Sequence, residues 1–190
     1  MNKIDKIQAL NKLEAKMAKD KKLPLLEFNL VFGEGNPDAD VLFIGEAPGK
    51  TEDELKRPFV GRAGKLLNKM IESIGWQRSD VYITNIVKRR PPENRDPSPK
   101  EIESYKPYLK EQIEIINPKI IAPVGRFAMN YFLPLAKISH NQGKLFLING
   151  YFIYPIFHPA AAMRATKMMT EFKKSFKNLP NTIKKNKSKK

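Results

Sequence analysis

The strongest constraint on this chain is a set of short apolar runs that stop abruptly in polar or glycine-rich turns and alternate with helical periodicities. Val41-Leu42-Phe43-Ile44 breaks off at Gly45-Glu46-Ala47-Pro48-Gly49, Val81 to Val87 (VYITNIV) enters a loop rich in proline and charge, and KIIAPVG ends at Gly125. Unbroken apolar runs of this length suit strands buried on both faces, which need helices on both sides. The intervening segments supply them. Ile4, Ile7, Leu10, Leu13 and Met17 recur every three or four residues and predict an amphipathic helix over about residues 1–22. Leu66, Leu67, Met70, Ile71 and Ile74 predict a second, closed by Gly75. Ser98 reads as an N-cap, with Pro99 in the first helical position and Glu101 completing a capping box. The helix it opens carries Ile102, Tyr105, Leu109, Ile113 and Ile116 and stops at Pro118. Further helices are expected over about 126–132 and 166–179. Asn149-Gly150, between two β-rich runs, predicts a hairpin whose second arm (152–157) leads into His158-Pro159.

Strands alternating with helices imply an α/β domain with a mostly parallel sheet. In such sheets ligands bind beyond the carboxyl ends of the strands. Gly45 to Gly49, Asn85 and His158-Pro159 all fall there, so separate strands deliver polar groups to one rim. Residues 1–180 are expected to form a single domain, followed by a flexible lysine-rich tail over 181–190.

Composition narrows the function. The net charge is +15, and without the eight lysines of the last eighteen residues it is still +7, so the body itself favours a polyanionic partner. No apolar run approaches the ~18 residues of a membrane span, and the charged N-terminus lacks the apolar core of a signal peptide. A soluble intracellular protein, with no membrane partner, is expected. The absence of cysteine excludes disulfides, thiolate nucleophiles and cysteine-ligated metal centres, and two histidines, His140 and His158, exclude a multi-histidine zinc site. No cofactor is expected. A nucleotide-binding enzyme is disfavoured, since neither a phosphate loop nor a G-x-G-x-x-G fingerprint occurs.

The segments VFGEGNPDADVLFIGEAPGKTED, RPFVGRAGKLLNKMI, VYITNIVKRRPPENRDPSP, KIIAPVGRFA and FHPAAAMR occur in this order over about residues 31–180. As an ordered set they resemble the family 4 uracil-DNA glycosylases. The resemblance implies a three-layer α/β/α domain around a central, mostly parallel four-stranded sheet. It also implies a monomeric, monofunctional enzyme that rotates uracil out of single- or double-stranded DNA and leaves an abasic site; extrusion costs a few kcal/mol.

The matching positions acquire roles from that resemblance. Phe59 is the expected stacking surface for the base, worth about 1–3 kcal/mol; without the motif it would read as a core phenylalanine beside a turn. Asn85 offers a donor and an acceptor that match O4 and N3–H of uracil and mismatch cytosine. His158 is expected to donate to O2, where charge develops as the glycosidic bond breaks. Glu46 and Ala47 present backbone to the base. Ala47 stands where the best-known branch of the superfamily has a water-activating aspartate, so a carboxylate must come from elsewhere; Glu52 is favoured for water or pocket work, with Glu46 acting through its main chain. Ala160, Ala161, Met163 and Arg164 are expected at the minor groove or the gap left by the flipped base. Arg62, Lys65, Lys88, Arg89, Arg90 and Arg95 are expected phosphate contacts, and His140 is expected at the surface.

The chain departs from the family at one place. Family 4 enzymes usually hold an iron–sulfur cluster with four cysteines. Here Arg89 stands at the third position and Tyr105 at the fourth, so no cluster forms by that route; Tyr105 and apolar neighbours are expected to fill the space, with Arg89 paired to a carboxylate. The loop 88–99 has no histidine, which argues against covalent trapping of DNA. The competing possibility is a non-catalytic module that binds uracil or single-stranded DNA; retention of Asn85 and His158 weighs against it.

Overall fold

The computed structural model describes residues 1–186. An Asn2–Asp5 capping box opens α1 (Lys3–Lys19), whose buried stripe is Leu10, Leu13 and Met17. A long connection leads to β1 (Glu34–Gly35) and β2 (Val41–Gly45), the latter buried at every position. Next come α2 (Lys50–Leu55), α3 (Arg62–Glu72) and β3 (Tyr82–Asn85). The Ser98–Glu101 capping box is formed as expected and opens α4 (Pro99–Ile116). β4 (Ile120–Pro123), α5 (Arg126–Phe132) and α6 (Ile138–Asn141) follow. β5 (Phe146–Ile148) and β6 (Tyr151–Ile153) form the predicted hairpin, with Asn149 at φ 50° and Gly150 at φ 83°, the two positive angles a two-residue turn needs. The chain ends in α7 (Pro159–Ala162) and α8 (Thr166–Asn186).

The sheet runs β1-β3-β2-β4-β6-β5. Its four central strands, β3-β2-β4-β6, are parallel, as the alternation implies. The expected four-stranded sheet is corrected to six strands by short antiparallel edges, β1 against β3 and β5 against β6. Side-chain alternation splits the core in two. Leu42, Ile44, Tyr82 and Ile121 face α1, α4 and α5, while Val41, Phe43, Ile83 and Ala122 face α3, α7 and α8. The result is three layers.

α8 corrects a second expectation. The helix does not end near Leu179 but continues through Pro180 to Asn186, so residues 181–186 of the expected tail are helical. Pro180 removes one backbone donor. Phe172, Phe176, Leu179 and Ile183 lie on one buried face, and burial of Ile183 offsets that loss. The last residues of the expected tail, 187–190, lie outside the described residues.

At the positions where the resemblance implies cluster cysteines, this chain has a side-chain clasp. Tyr105 is fully buried and its hydroxyl donates to the Pro24 carbonyl at 2.8 Å. Tyr108 donates to Asp20 at 2.7 Å, and Leu23 and Leu25 are buried beside them. Arg89 donates to the Phe28 carbonyl. The expected carboxylate partner for Arg89 is thus corrected to a backbone oxygen. With hydroxyl, guanidinium and apolar groups in place of thiolates, these residues do not fit a cluster. They tie the 20–29 segment to α4 and to the bend that follows β3. Tyr105→Ala is expected to cost about 3–5 kcal/mol, as for other buried aromatics cut to alanine, and Tyr105→Phe about 1 kcal/mol. Urea unfolding would measure both; an unchanged midpoint for Tyr105→Ala would remove the clasp from the account.

Candidate active site

Three backbone ends meet at one rim. β2 and β3 run parallel with Gly45 opposite Asn85. Val124, just past β4, bridges to Ile156, and the chain then delivers His158. Between them is a cavity of about 170 Å³ lined by Ala47, Gly49, Glu52, Phe59, Ala63, Asn85 and His158. Sites for drug-sized ligands run to ~300–1,000 Å³, so this one suits a single small ring. A larger cavity of about 480 Å³ lies at the other end of the strands, lined by Asp38, Asp40, Trp76 and Asp80 among others. Its carboxylates are already engaged by Lys6, Lys119 and the Gln77 amide, which makes it the poorer candidate.

Each wall has a structural reason. Gly45 brings β2 close to its neighbours: a Cβ there would lie 2.4 Å from Asn85 Oδ1 and 2.5 Å from the Phe59 ring. Phe59 is buried, with its backbone at φ 50°. That left-handed conformation costs a non-glycine residue about 1–3 kcal/mol and needs support from its surroundings. Glu52 gives part of it: one carboxylate oxygen, Oε1, accepts from the Val60 and Gly61 amides at 2.9 and 2.7 Å. The other oxygen, Oε2, lies toward Gly49.

His158 caps α7, its Nδ1 accepting from the Ala160 amide at 3.2 Å. That bond makes Nδ1 the acceptor, so the proton of the neutral ring is on Nε2. Burial pushes the imidazole pKa down, the Glu52 carboxylate opposes this, and Arg164 adds to the lowering. The ring is therefore neutral near pH 7, with an N–H donor available. It stands 6.0 Å from the Phe59 ring.

On the other side of His158 lies a second cavity, of about 400 Å³, whose lining includes Glu46, Asp96, Arg126, Ala160, Ala161 and Arg164. Burial, reinforced by Asp96 and opposed by Arg126, pushes the Glu46 carboxyl up to about 7. The expected site residues thus divide. Ala47, Glu52, Phe59, Asn85 and His158 share one cavity, while Glu46, Ala160, Ala161 and Arg164 line its neighbour. Arg62 and Lys65 are exposed on the first turn of α3, Met163 is half-buried and His140 is exposed.

Two expected phosphate contacts are corrected. Lys88 is fully buried, its Nζ donating to Thr84 Oγ1 and to Gln112 Oε1 at 2.6 Å, and burial drives its pKa far down. Arg89 is buried in the clasp. Both lie in the bend after β3, where the Val31 amide pairs with the Lys88 carbonyl and the chain folds them under the 20–32 segment, which a count of surface-type residues cannot detect. Arg95 is partly exposed but bidentate to Glu101 at 2.9 and 2.6 Å, and Arg90 donates to Asn94. Sequence reasoning assigned no role to Ala63, Arg126 or Asp96. Arg126 follows Gly125 at a strand end, the one signal that pointed to it.

Comparison with known proteins gives the family. Residues 32–180 match the model of the uracil DNA glycosylase superfamily. The chain is 43% identical over 160 residues to a type-4 uracil-DNA glycosylase of Archaeoglobus fulgidus, covering 80% of each chain. It is 41% identical over 187 residues to that of Sulfurisphaera tokodaii, covering 91% of this chain and 84% of the relative. Against that of Saccharolobus solfataricus it is 48% identical over 145 residues, covering 71% and 67%. With the family segments in order and the polar strand ends around one base-sized cavity, the chain belongs to the uracil-DNA glycosylase superfamily and is a DNA N-glycosylase without cluster cysteines.

Proposed function

We propose that this protein is a monofunctional uracil-DNA glycosylase that takes uracil from DNA into the 170 Å³ cavity and leaves an abasic site. The observation that carries this reading is the meeting of Asn85, Phe59 and a neutral His158 around that cavity. Phe59 stacks on the base. The Asn85 amide reads N3–H and O4. Nε2–H of His158 donates to O2 as the C1′–N1 bond breaks, so the departing uracil anion is held by a hydrogen bond formed at full strength only late in the reaction. Water adds to the sugar carbon and the proton it releases passes to solvent or a carboxylate. Among the described residues no lysine lines the cavity, so no Schiff base and no strand cleavage are expected. Arg62, Lys65 and Arg164 carry phosphate contacts on the exposed rim, with Ala160, Ala161 and Met163 against the flipped-out gap.

Glu52 is the carboxylate of the reacting cavity: Oε1 holds the Val60 and Gly61 amides and Oε2 is left for water or the developing sugar cation. Glu46 acts through its main chain. Its carboxyl, pushed up to about 7, is half protonated near neutrality and a poor anion.

Two experiments test this reading. A labelled oligonucleotide with one uracil is incubated with the protein and treated with alkali. Cleavage at uracil and not at thymine is expected, falling about 10²–10³-fold in His158→Ala. Intact DNA with binding retained would identify a non-catalytic module instead. The second uses Glu46. Its folded pKa lies above the unfolded value, so the native state holds the proton longer, and stability falls as pH rises from about 4.5 through about 7. Glu46→Gln is expected to flatten that decline in thermal midpoint while keeping excision within about tenfold, against a loss of about 10²-fold for Glu52→Gln. A Glu46→Gln enzyme as inactive as His158→Ala would transfer the carboxylate role to Glu46.

A further inference from the structure

Arg78 lies outside the cavity and in none of the motifs, yet its guanidinium makes four hydrogen bonds and an ion pair. Nε donates to Glu34 Oε1 at 2.8 Å, and the same carboxylate oxygen lies 2.7 Å from Nη2. Nη1 donates to Asn68 Oδ1 at 2.6 Å and to the Phe59 carbonyl at 3.3 Å. Nη2 donates to the Pro58 carbonyl at 2.5 Å. The side chain is only 20% exposed, and Glu34, at 26%, is shared with Arg57. Asn68 is on α3, one turn past Gly64, where a Cβ would lie 1.9 Å from the Phe59 carbonyl oxygen. Arg78 itself sits on the 3₁₀ turn 78–80 that enters β3, the strand that ends in Asn85.

We infer that Arg78 is a positioning residue for base recognition, fixing the strained Phe59 turn by holding its two carbonyls while Glu52 holds the two amides that follow. The inference rests on the glycosylase reading and deepens it. The reason is geometric. Phe59 occupies a backbone conformation that its own residue type resists. A left-handed residue between two clamped peptide groups cannot relax to negative φ without breaking bonds on both sides. Planar forked donors can reach two successive carbonyls and a carboxylate together, which a lysine ammonium cannot. Glu34 holds the guanidinium, and Arg57 only shares Glu34.

Arg78→Met, Arg78→Lys and Arg57→Ala are compared in the full-length protein. Single-turnover excision of uracil is expected to fall about 10²-fold in Arg78→Met, the scale of a misplacement of about 1 Å, and to be little restored by lysine. Inhibition by free uracil should weaken in parallel, while affinity for undamaged DNA stays at the wild-type level. Arg57→Ala should match wild type in all three. Hydrogen exchange of the amides in segment 58–64 should quicken in Arg78→Met. Equal loss of excision and of affinity for undamaged DNA, wild-type excision despite faster exchange, or unchanged exchange would each overturn the inference. Should Arg78→Met fail to fold, Arg78→Lys carries the same comparison. Absence of excision by the wild-type protein would instead defeat the glycosylase reading, and the exchange arm would still decide whether Arg78 clamps the turn.

Discussion

The active end of this molecule depends on how closely β2 approaches its surroundings at Gly45. A Cβ at that position would stand 2.4 Å from Asn85 Oδ1 and 2.5 Å from the Phe59 ring, so any side chain would occupy the space in which those two groups converge. The parallel register sets Asn85 directly opposite Gly45, so the missing side chain is what allows an amide and an aromatic ring to face one small cavity. Strand pairing supplies rigidity here: β3 and β4 both flank β2, and every residue of β2 is buried. On the proposed reading, an Asn85 amide fixed on such a strand loses little freedom when it meets a base, and that preorganisation is where selective binding gains most.

Phe59 and His158 lack that support, because both leave regular structure before they reach the cavity. Each is stabilised by a different local device. His158 uses its own helix: capping α7 through Nδ1 selects the tautomer that leaves Nε2–H as the donor, so a structural bond determines a chemical property. Phe59 uses neighbours from two segments, Glu52 of α2 and Arg78 of the 78–80 turn, since its backbone is in a conformation it would not choose alone. Glu52 holds that turn with one carboxylate oxygen and lines the cavity as well, so on the proposed reading one glutamate serves both the shape and the charge of the cavity. Glu46, two positions after Ile44, has its carboxyl pushed up to about 7 by burial, with Asp96 reinforcing the shift and Arg126 opposing it.

Much of this was legible in the sequence for physical reasons. Buried parallel strands leave unbroken apolar runs, so VLFIG, VYITN and KIIAP announced themselves, and Asn-Gly announced the hairpin. The two edge strands did not, because two- and three-residue strands carry no periodicity. The continuation of α8 past Pro180 was hidden because the penalty of proline is local while the reward, burial of Ile183, depends on a partner layer. Lys88 and Arg89 misled for the same reason: a basic residue beside a basic loop reads as surface, and only distant partners, Gln112 for Lys88 and the Phe28 carbonyl for Arg89, hold them inside. Arg78 gave no signal at all, since its partners at Glu34, Pro58, Phe59 and Asn68 are 10 to 44 residues away in sequence.

The clasp at Tyr105 and the cavity at Asn85 lie on opposite faces of the same sheet. Tyr105 belongs to the core shared by α1 and α4, and Phe59 to the core shared by α3 and α8. β3 is the element common to both, with Thr84 directed to one face, in contact with Lys88 and Gln112, and Asn85 to the other. Side chains one residue apart thus belong to separate packing problems. The first face can be closed by tyrosines, an arginine and a few leucines without moving the amide on the second, so long as the strand between them keeps its register. The buried Thr84–Lys88–Gln112 contacts secure that register from the clasp side, and Gly45 secures it from the cavity side. This separation gives a physical reason why a chain without cysteine retains the geometry of a glycosylase.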